Sequence, residues 1–165
     1  MDRLNLLAKE MIGFFGGDPK RIQHFIKVHS FAKLIGESEG LDERTQMILE
    51  AAAYVHDIGI RPAEEKYGKC NGKLQEQEGP AFAQEMLGKL GFDEEAVRRV
   101  SYLVGHHHTY HNIDGMDYQI LVEADFLVNY YEDEISRETI FTSSEKIFRT
   151  ETGKNIVREM FGLND

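Results

Sequence analysis

An all-α fold is what this chain predicts, and three observations predict it. Apolar residues recur at three- and four-residue spacing along most of its length, β-branched alternating runs are few, and Gly, Pro and Asp fall where helices would start and stop. The expected architecture is a single-domain multi-helix bundle over residues 1–165.

The elements follow in order. A first short helix covers about residues 2–14 and ends at Gly16-Gly17. Asp18 is the N-cap of a long second helix, with Pro19 in its first turn and its end near Glu39. Gly40 stops it, and Asp42 caps a third helix that runs to about Ile58. Residues 59–78 form the least regular segment. A fourth helix is expected from Gly79-Pro80 to Gly91, and Asp93-Glu94-Glu95 opens a fifth that runs into a cluster of histidines. Residues 109–116 read as a loop, Asp117 to about Asp133 as a sixth helix, and one or two shorter helices over 138–162 complete the bundle.

Composition narrows the function. Hydrophobic residues make up 41% of the chain, enough for a sizeable core. A formal charge of −10 lacks the positive footprint that nucleic acid or an anionic membrane demands. Cys70 is the only cysteine, so no internal disulfide forms, which suits a reducing compartment. The N-terminal segment is broken by charges too often for a secretory signal, and no apolar run reaches the length of a membrane span. A cytoplasmic protein is expected.

Polar residues then interrupt apolar faces in three places. In the second helix, Ile22, Phe25, Ile26, His29, Ala32 and Lys33 form a helical stripe that carries His29 inward. In the third, Leu49, Ala52 and Ala53 lead to His56, with Asp57 beside it. In the sixth, Leu121, Val122 and Val128 flank Asp125. A single inward histidine is usually a hydrogen-bonded core residue. An inward carboxylate without a partner costs several kcal/mol, and Asp57 also sits at a helix C-terminus, where the helix dipole disfavours negative charge. A cation between them relieves both costs.

His29, the adjacent pair His56-Asp57, and Asp125 resemble the H…HD…D signature of the HD-domain metal-dependent phosphohydrolases, over roughly residues 20–130. That resemblance implies an all-helical bundle in which His29, His56, Asp57 and Asp125 ligate one divalent cation. Two imidazoles and two carboxylates without a thiolate suit Mn, Fe, Co, Ni, Mg or Zn. Relatives with two metals often carry a histidine pair between the HD dipeptide and the last aspartate, a place held here by His106 and His107. They usually carry a further histidine before the helix that begins near Gly79, where this chain has Gln75-Glu76-Gln77-Glu78. Glu76 or Glu78 could replace it, but because of this departure one ion is expected and a second stays open. The Gly-Tyr-Pro of the family's cyclic-dinucleotide phosphodiesterases is missing.

The implied activity is hydrolysis of a small phosphate ester, a nucleotide foremost, with Asp57, His106 and His107 at the reacting centre. Arg61 stands near the lysine that many relatives place after HD-x-G, and within residues 61–73 four basic residues face two acidic ones, so Arg61 is the candidate phosphate contact. Asn129 shares a helix face with Asp125 and is expected to orient a ligand, touch substrate or make a simple structural hydrogen bond. The competing readings are a metal- or nucleotide-binding sensor without turnover and a structural helical module.

Overall fold

The computed structural model describes residues 1–163, and among these it contains nine helices and no strand. In order they are α1 (Arg3–Phe14), α2 (Pro19–Ser38), α3 (Glu43–Val55), α4 (Ile60–Tyr67), α5 (Gly72–Lys89), α6 (Glu94–Val104), α7 (Met116–Glu132), α8 (Arg137–Ile147) and α9 (Glu151–Phe161). No helix among the described residues is long and apolar enough to cross a membrane.

Capping sets most of the starts. Asp18 accepts from the Arg21 amide, Asp42 from Thr45, Asn71 from Leu74, Asp93 from Ala96, Ser136 from Thr139 and Thr150 from Gly153. Each cap satisfies an amide that the helix itself leaves unpaired, at about 1 kcal/mol apiece. Gly68 ends α4 in the left-handed region at φ 72°, where a side chain would be strained.

Two helices form the centre. Every residue of α3 from Ile48 to Val55 is buried, and α7 is buried on nearly all sides from Asp117 to Val128. A helix apolar all round must be enclosed, and α3 packs against α1, α2, α6 and α7 while α2 and α9 also cover α7. Fully buried Glu123 joins α7 to the start of α9: its carboxylate accepts from Thr150 Oγ1 (2.6 Å), the Arg149 and Thr150 amides and Gln119. Arg99 pins the entry to α7 through Asp114 and Asp117.

The segment 59–78 departs from its expected irregularity. It holds all of α4 and the first turns of α5, so α5 begins at Gly72 and not at Gly79. Gly79-Pro80 resembles a helix start, yet Pro80 lies inside α5, where its missing N–H costs one hydrogen bond of the helix. The third helix also stops sooner than expected, at Val55, which puts His56 and Asp57 in the turn that leads to α4. The stretch 138–162 resolves into α8 and α9.

Candidate metal centre

Three elements meet at one point. The first two turns of α2 supply His24, the turn after α3 supplies His56 and Asp57, and the middle of α7 supplies Asp125. His24 Nε2 lies 3.3 Å from His56 Nε2, 3.1 Å from Asp125 Oδ1 and 3.2 Å from Asp57 Oδ2. His56 Nε2 lies 3.3 Å from the same Asp57 oxygen and 3.4 Å from the same Asp125 oxygen.

The outer ring nitrogens explain why these atoms converge. His56 Nδ1 is 2.7 Å from the Ala53 carbonyl, which can only accept, so Nδ1 carries the hydrogen. His107 Nδ1 donates likewise to Val104 O at 2.8 Å, and His24 Nδ1 to Glu132 Oε1 at 2.5 Å. In a neutral ring each Nε2 is then a bare lone pair, turned toward carboxylate oxygens that are also acceptors. Such a set needs positive charge in its midst. The separations of 3.1–3.4 Å are those of neighbouring ligand atoms about 2.0–2.3 Å from one cation. Two nitrogens and two oxygens fit a divalent ion, and these residues therefore suit the metal that the sequence implies.

Protons supply that charge when no metal does. Burial works against charge on His24 and His56, yet Asp57 and Asp125 outweigh it and push the two imidazoles up to about 11 and about 10. Burial likewise opposes ionisation of Asp57 and Asp125, but the neighbouring imidazoles hold both carboxyls below their usual range. The raised histidines contribute stability that is present below about pH 6.5 and lost as pH rises through about 10. The depressed carboxyls contribute stability that is present at neutral pH and lost on acidification. A metal held here would thus compete with protons for the same Nε2 atoms. Titration of metal-free protein with Mn²⁺ or Zn²⁺ at pH 7 is expected to release about two protons per ion, with affinity rising from about pH 6 to about pH 9. Calorimetry in buffers of differing ionisation heat measures this count, and a value near zero would place the ion elsewhere.

A second group adjoins the first. His107 Nε2 lies 3.4 Å from the other Asp57 oxygen, and Gln75 Oε1 lies 3.2 Å from His107 Nε2 and 2.7 Å from His108 Nε2. Asp57, His107 and His108 together have the reach to hold a cation. Burial and the charge of His107 push His108 down to about 4, so its ring is neutral at pH 7. The cleft over both groups has a volume of about 390 Å³ and is lined by Lys20, Arg21, Ile60, Gln75, Asn129 and Asp133 besides the centre itself. A larger apolar groove of about 620 Å³ runs between α1 and α5 through Phe14, Phe82 and Met86, and no residue of the metal centre lines it.

Several residues expected here lie elsewhere. His29 is not among the converging side chains: its Nε2 is 3.0 Å from Glu50 Oε1 and its ring stacks on Tyr54 at 3.9 Å. The inward stripe of α2 runs through His24, Phe25, Val28, Ala32, Ile35 and Gly36, while Ile26 and Lys33 face solvent. A stripe drawn part of a turn off axis selects His29 and omits His24, one turn before Val28. Arg61 donates to the Phe14 carbonyl and pairs with Glu65, outside the cleft, whereas Lys20 and Arg21 line it. The histidine pair beside Asp57 is His107-His108, since His106 donates to the Tyr102 carbonyl and stacks on that ring.

Neither glutamate of the 75–78 block faces the centre. Glu76 accepts from Thr109 and the His108 amide, and Glu78 from Lys66 and Tyr67. The neutral Gln75 stands there instead. Asn129 donates to Asp125 Oδ1 at 3.2 Å.

Comparison with known proteins agrees with this geometry. The pattern of the HD domain matches residues 21–144. The fold superposes with a TM-score of 0.68 on the crystal structure of a predicted HD superfamily hydrolase from an uncultured Thermotogales bacterium, 26% identical over 98% of this chain and 84% of that one. Among proteins of curated function, none matches the chain. With three quarters of its length fitting that pattern around a His24, His56, Asp57 and Asp125 centre, the chain belongs to the HD-domain superfamily.

Proposed function

We propose that this protein is a metal-dependent phosphohydrolase, that residues 1–165 form one HD-type domain, and that its substrate is a small phosphate ester of the nucleotide class. The convergence of two Nε2 atoms and two carboxylates on one point carries this reading. His24, His56, Asp57 and Asp125 would hold the ion, and Asn129 steadies Asp125. A divalent cation so held polarises a phosphoryl oxygen and lowers the pKa of water toward neutrality.

The chain's own groups supply the rest. Asp57 turns one oxygen to His24 and His56 and the other to His107, so it would hold the ion with the first and can orient the attacking water with the second. Lys20 and Arg21 lie four and three residues before His24, on one face of α2, and put positive charge where the outer phosphate oxygens would lie. Arg21 is held in place by Asp18 and Glu64. Attack on phosphorus breaks the ester bond and releases an alcohol and phosphate.

Tyr110 supports the nucleotide class. Its hydroxyl lies 3.4 Å from His108 Nδ1, its ring rests on Phe126, and it is 42% exposed, so it offers an aromatic face for a base beside the centre. One ion is inferred at the first group. A second at Asp57, His107 and His108 would be weaker, because Gln75 brings no charge to it.

The test is a panel of nucleoside monophosphates, nucleoside triphosphates, sugar phosphates and diesters, each supplied with Mn²⁺ or Co²⁺. Turnover of nucleotides is expected, and His56→Ala and Asp57→Ala should each abolish it. Silence across the panel from protein that holds metal would favour a sensor and reject the phosphohydrolase.

A further inference from the structure

The three ring nitrogens that fix the tautomers at this centre are not held alike. His56 and His107 each donate to a backbone carbonyl three residues earlier, Ala53 and Val104. Those partners belong to the same stretch of chain, and no substitution removes them. His24 instead depends on a side chain from another helix, Glu132 at the last residue of α7.

We propose that Glu132 is a positioning residue for the metal centre, fixing His24 as the Nδ1–H tautomer with its Nε2 aimed at the ion, and that Lys27 holds Glu132 in turn. This rests on the metal reading of the centre given above. Both oxygens of Glu132 are engaged, Oε1 with His24 at 2.5 Å and Oε2 with Lys27 Nζ at 2.8 Å, and its side chain is only 11% exposed. Asp125, Asn129 and Glu132 stand at i, i+4 and i+7 on α7, while His24 and Lys27 stand at i and i+3 on α2, so the two helices face each other along matching rows. Asp125 meets the inner nitrogen of His24 and Glu132 the outer one. The ring is clamped on both edges by one helix.

A carboxylate behind a ligating imidazole sets its orientation and makes it a better donor, and loss of such a partner typically weakens metal binding about 10- to 100-fold. Removing Glu132 frees the His24 ring to turn and lets its hydrogen move to Nε2, the atom the ion needs bare. No other acceptor among the described residues is paired with that ring's Nδ1. The helix ends themselves would stay joined, because α2 and α7 also pack along their apolar faces.

The experiment compares wild type with Glu132→Ala, Glu132→Gln, Lys27→Met and His56→Ala. Zn²⁺ or Mn²⁺ affinity is measured by competition with a chelating dye, and the melting temperature of each metal-free protein is recorded. Glu132→Ala should lose about 10- to 100-fold in affinity, Glu132→Gln less, since its amide oxygen still accepts from Nδ1, and Lys27→Met less than Glu132→Ala. If the alanine variant does not fold, the glutamine variant carries the measurement. Affinities within twofold of wild type for both Glu132 variants overturn the proposal. So does a Lys27→Met loss equal to that of Glu132→Ala, which would make Glu132 a mere pin between helices. Should wild type take up no more metal than His56→Ala, the metal reading itself falls, and the assignment of Glu132 falls with it.

Discussion

His24→Ala is expected to strip the protein of its bound metal and to cut phosphoester hydrolysis about a thousandfold, while His29→Ala leaves both intact. The first expectation follows from position. His24 Nε2 touches each of the other three donors, so its loss opens the centre on one side and leaves two carboxylates facing a single imidazole. Polarisation of the substrate by a bound divalent ion contributes several kcal/mol to the transition state, and about 4 kcal/mol corresponds to about a thousandfold in rate.

The second follows from different contacts. His29 serves buried Glu50, whose other oxygen accepts from Gln46, and truncation to alanine leaves that carboxylate short of a partner in a largely apolar setting. Such a loss costs about 1–3 kcal/mol of stability. Metal content by elemental analysis, turnover and melting temperature of both variants separate the two histidines. A His29→Ala protein without metal, beside a His24→Ala protein that keeps it, would reverse the assignment.

That pair of residues also shows how far the sequence could be read. The dipeptide His56-Asp57 after a run of alanines, and Asp125 within an apolar helix, are signals that survive error, because each stands out whichever way its helix is turned. His24 and His29 stand on one helix about 140° apart around its axis, and α2 is amphipathic on a broad face. Only the true axis of burial, set by contacts with α3 and α7, distinguishes them, and that axis is a tertiary property. The same limit hid Glu132, which reads as a solvated charge at a helix end until α2 is laid against it.

The segment 59–78 was obscured for another reason. Charge, Gly and Pro are dense there, and local propensity favours a loop. Packing of α4 on α5 overrides that preference, as burial of Ile60, Pro62 and Ala63 shows. Caps such as Asp18, Asp42 and Asp93 act within their own turn, so the helix starts they set could be read directly.

The overriding contact makes Gly59 the residue on which α4, α5 and the metal centre jointly depend. Its backbone is ordinary, at φ −73°, so conformational freedom is not what calls for glycine. Space is. A β-carbon at this position would sit 2.5 Å from the Gln75 carbonyl oxygen and 2.8 Å from the Gly79 amide nitrogen, and both are backbone atoms that cannot rotate away. Gly59→Ala must therefore push α5 off the turn that holds His56 and Asp57. Overpacking of this kind costs about 3 kcal/mol, which for a chain of this length lowers the melting temperature by roughly 6–12 °C. The same displacement carries Gln75 away from His107 and His108 and shifts Asp57 two residues upstream, so metal affinity should fall along with stability.

Gly79→Ala provides the comparison. Its added carbon would meet one side-chain atom, Cγ1 of the buried and β-branched Val104 at 2.6 Å, so packing is lost there too, but the Gly59 backbone stays no nearer than 3.5 Å. A smaller loss of stability and near-normal metal uptake are expected there. Thermal unfolding with and without Zn²⁺ measures both variants. A Gly59→Ala protein as stable and as metal-rich as wild type would mean that α5 yields freely, and that the close approach of these two helices does not set the position of Asp57.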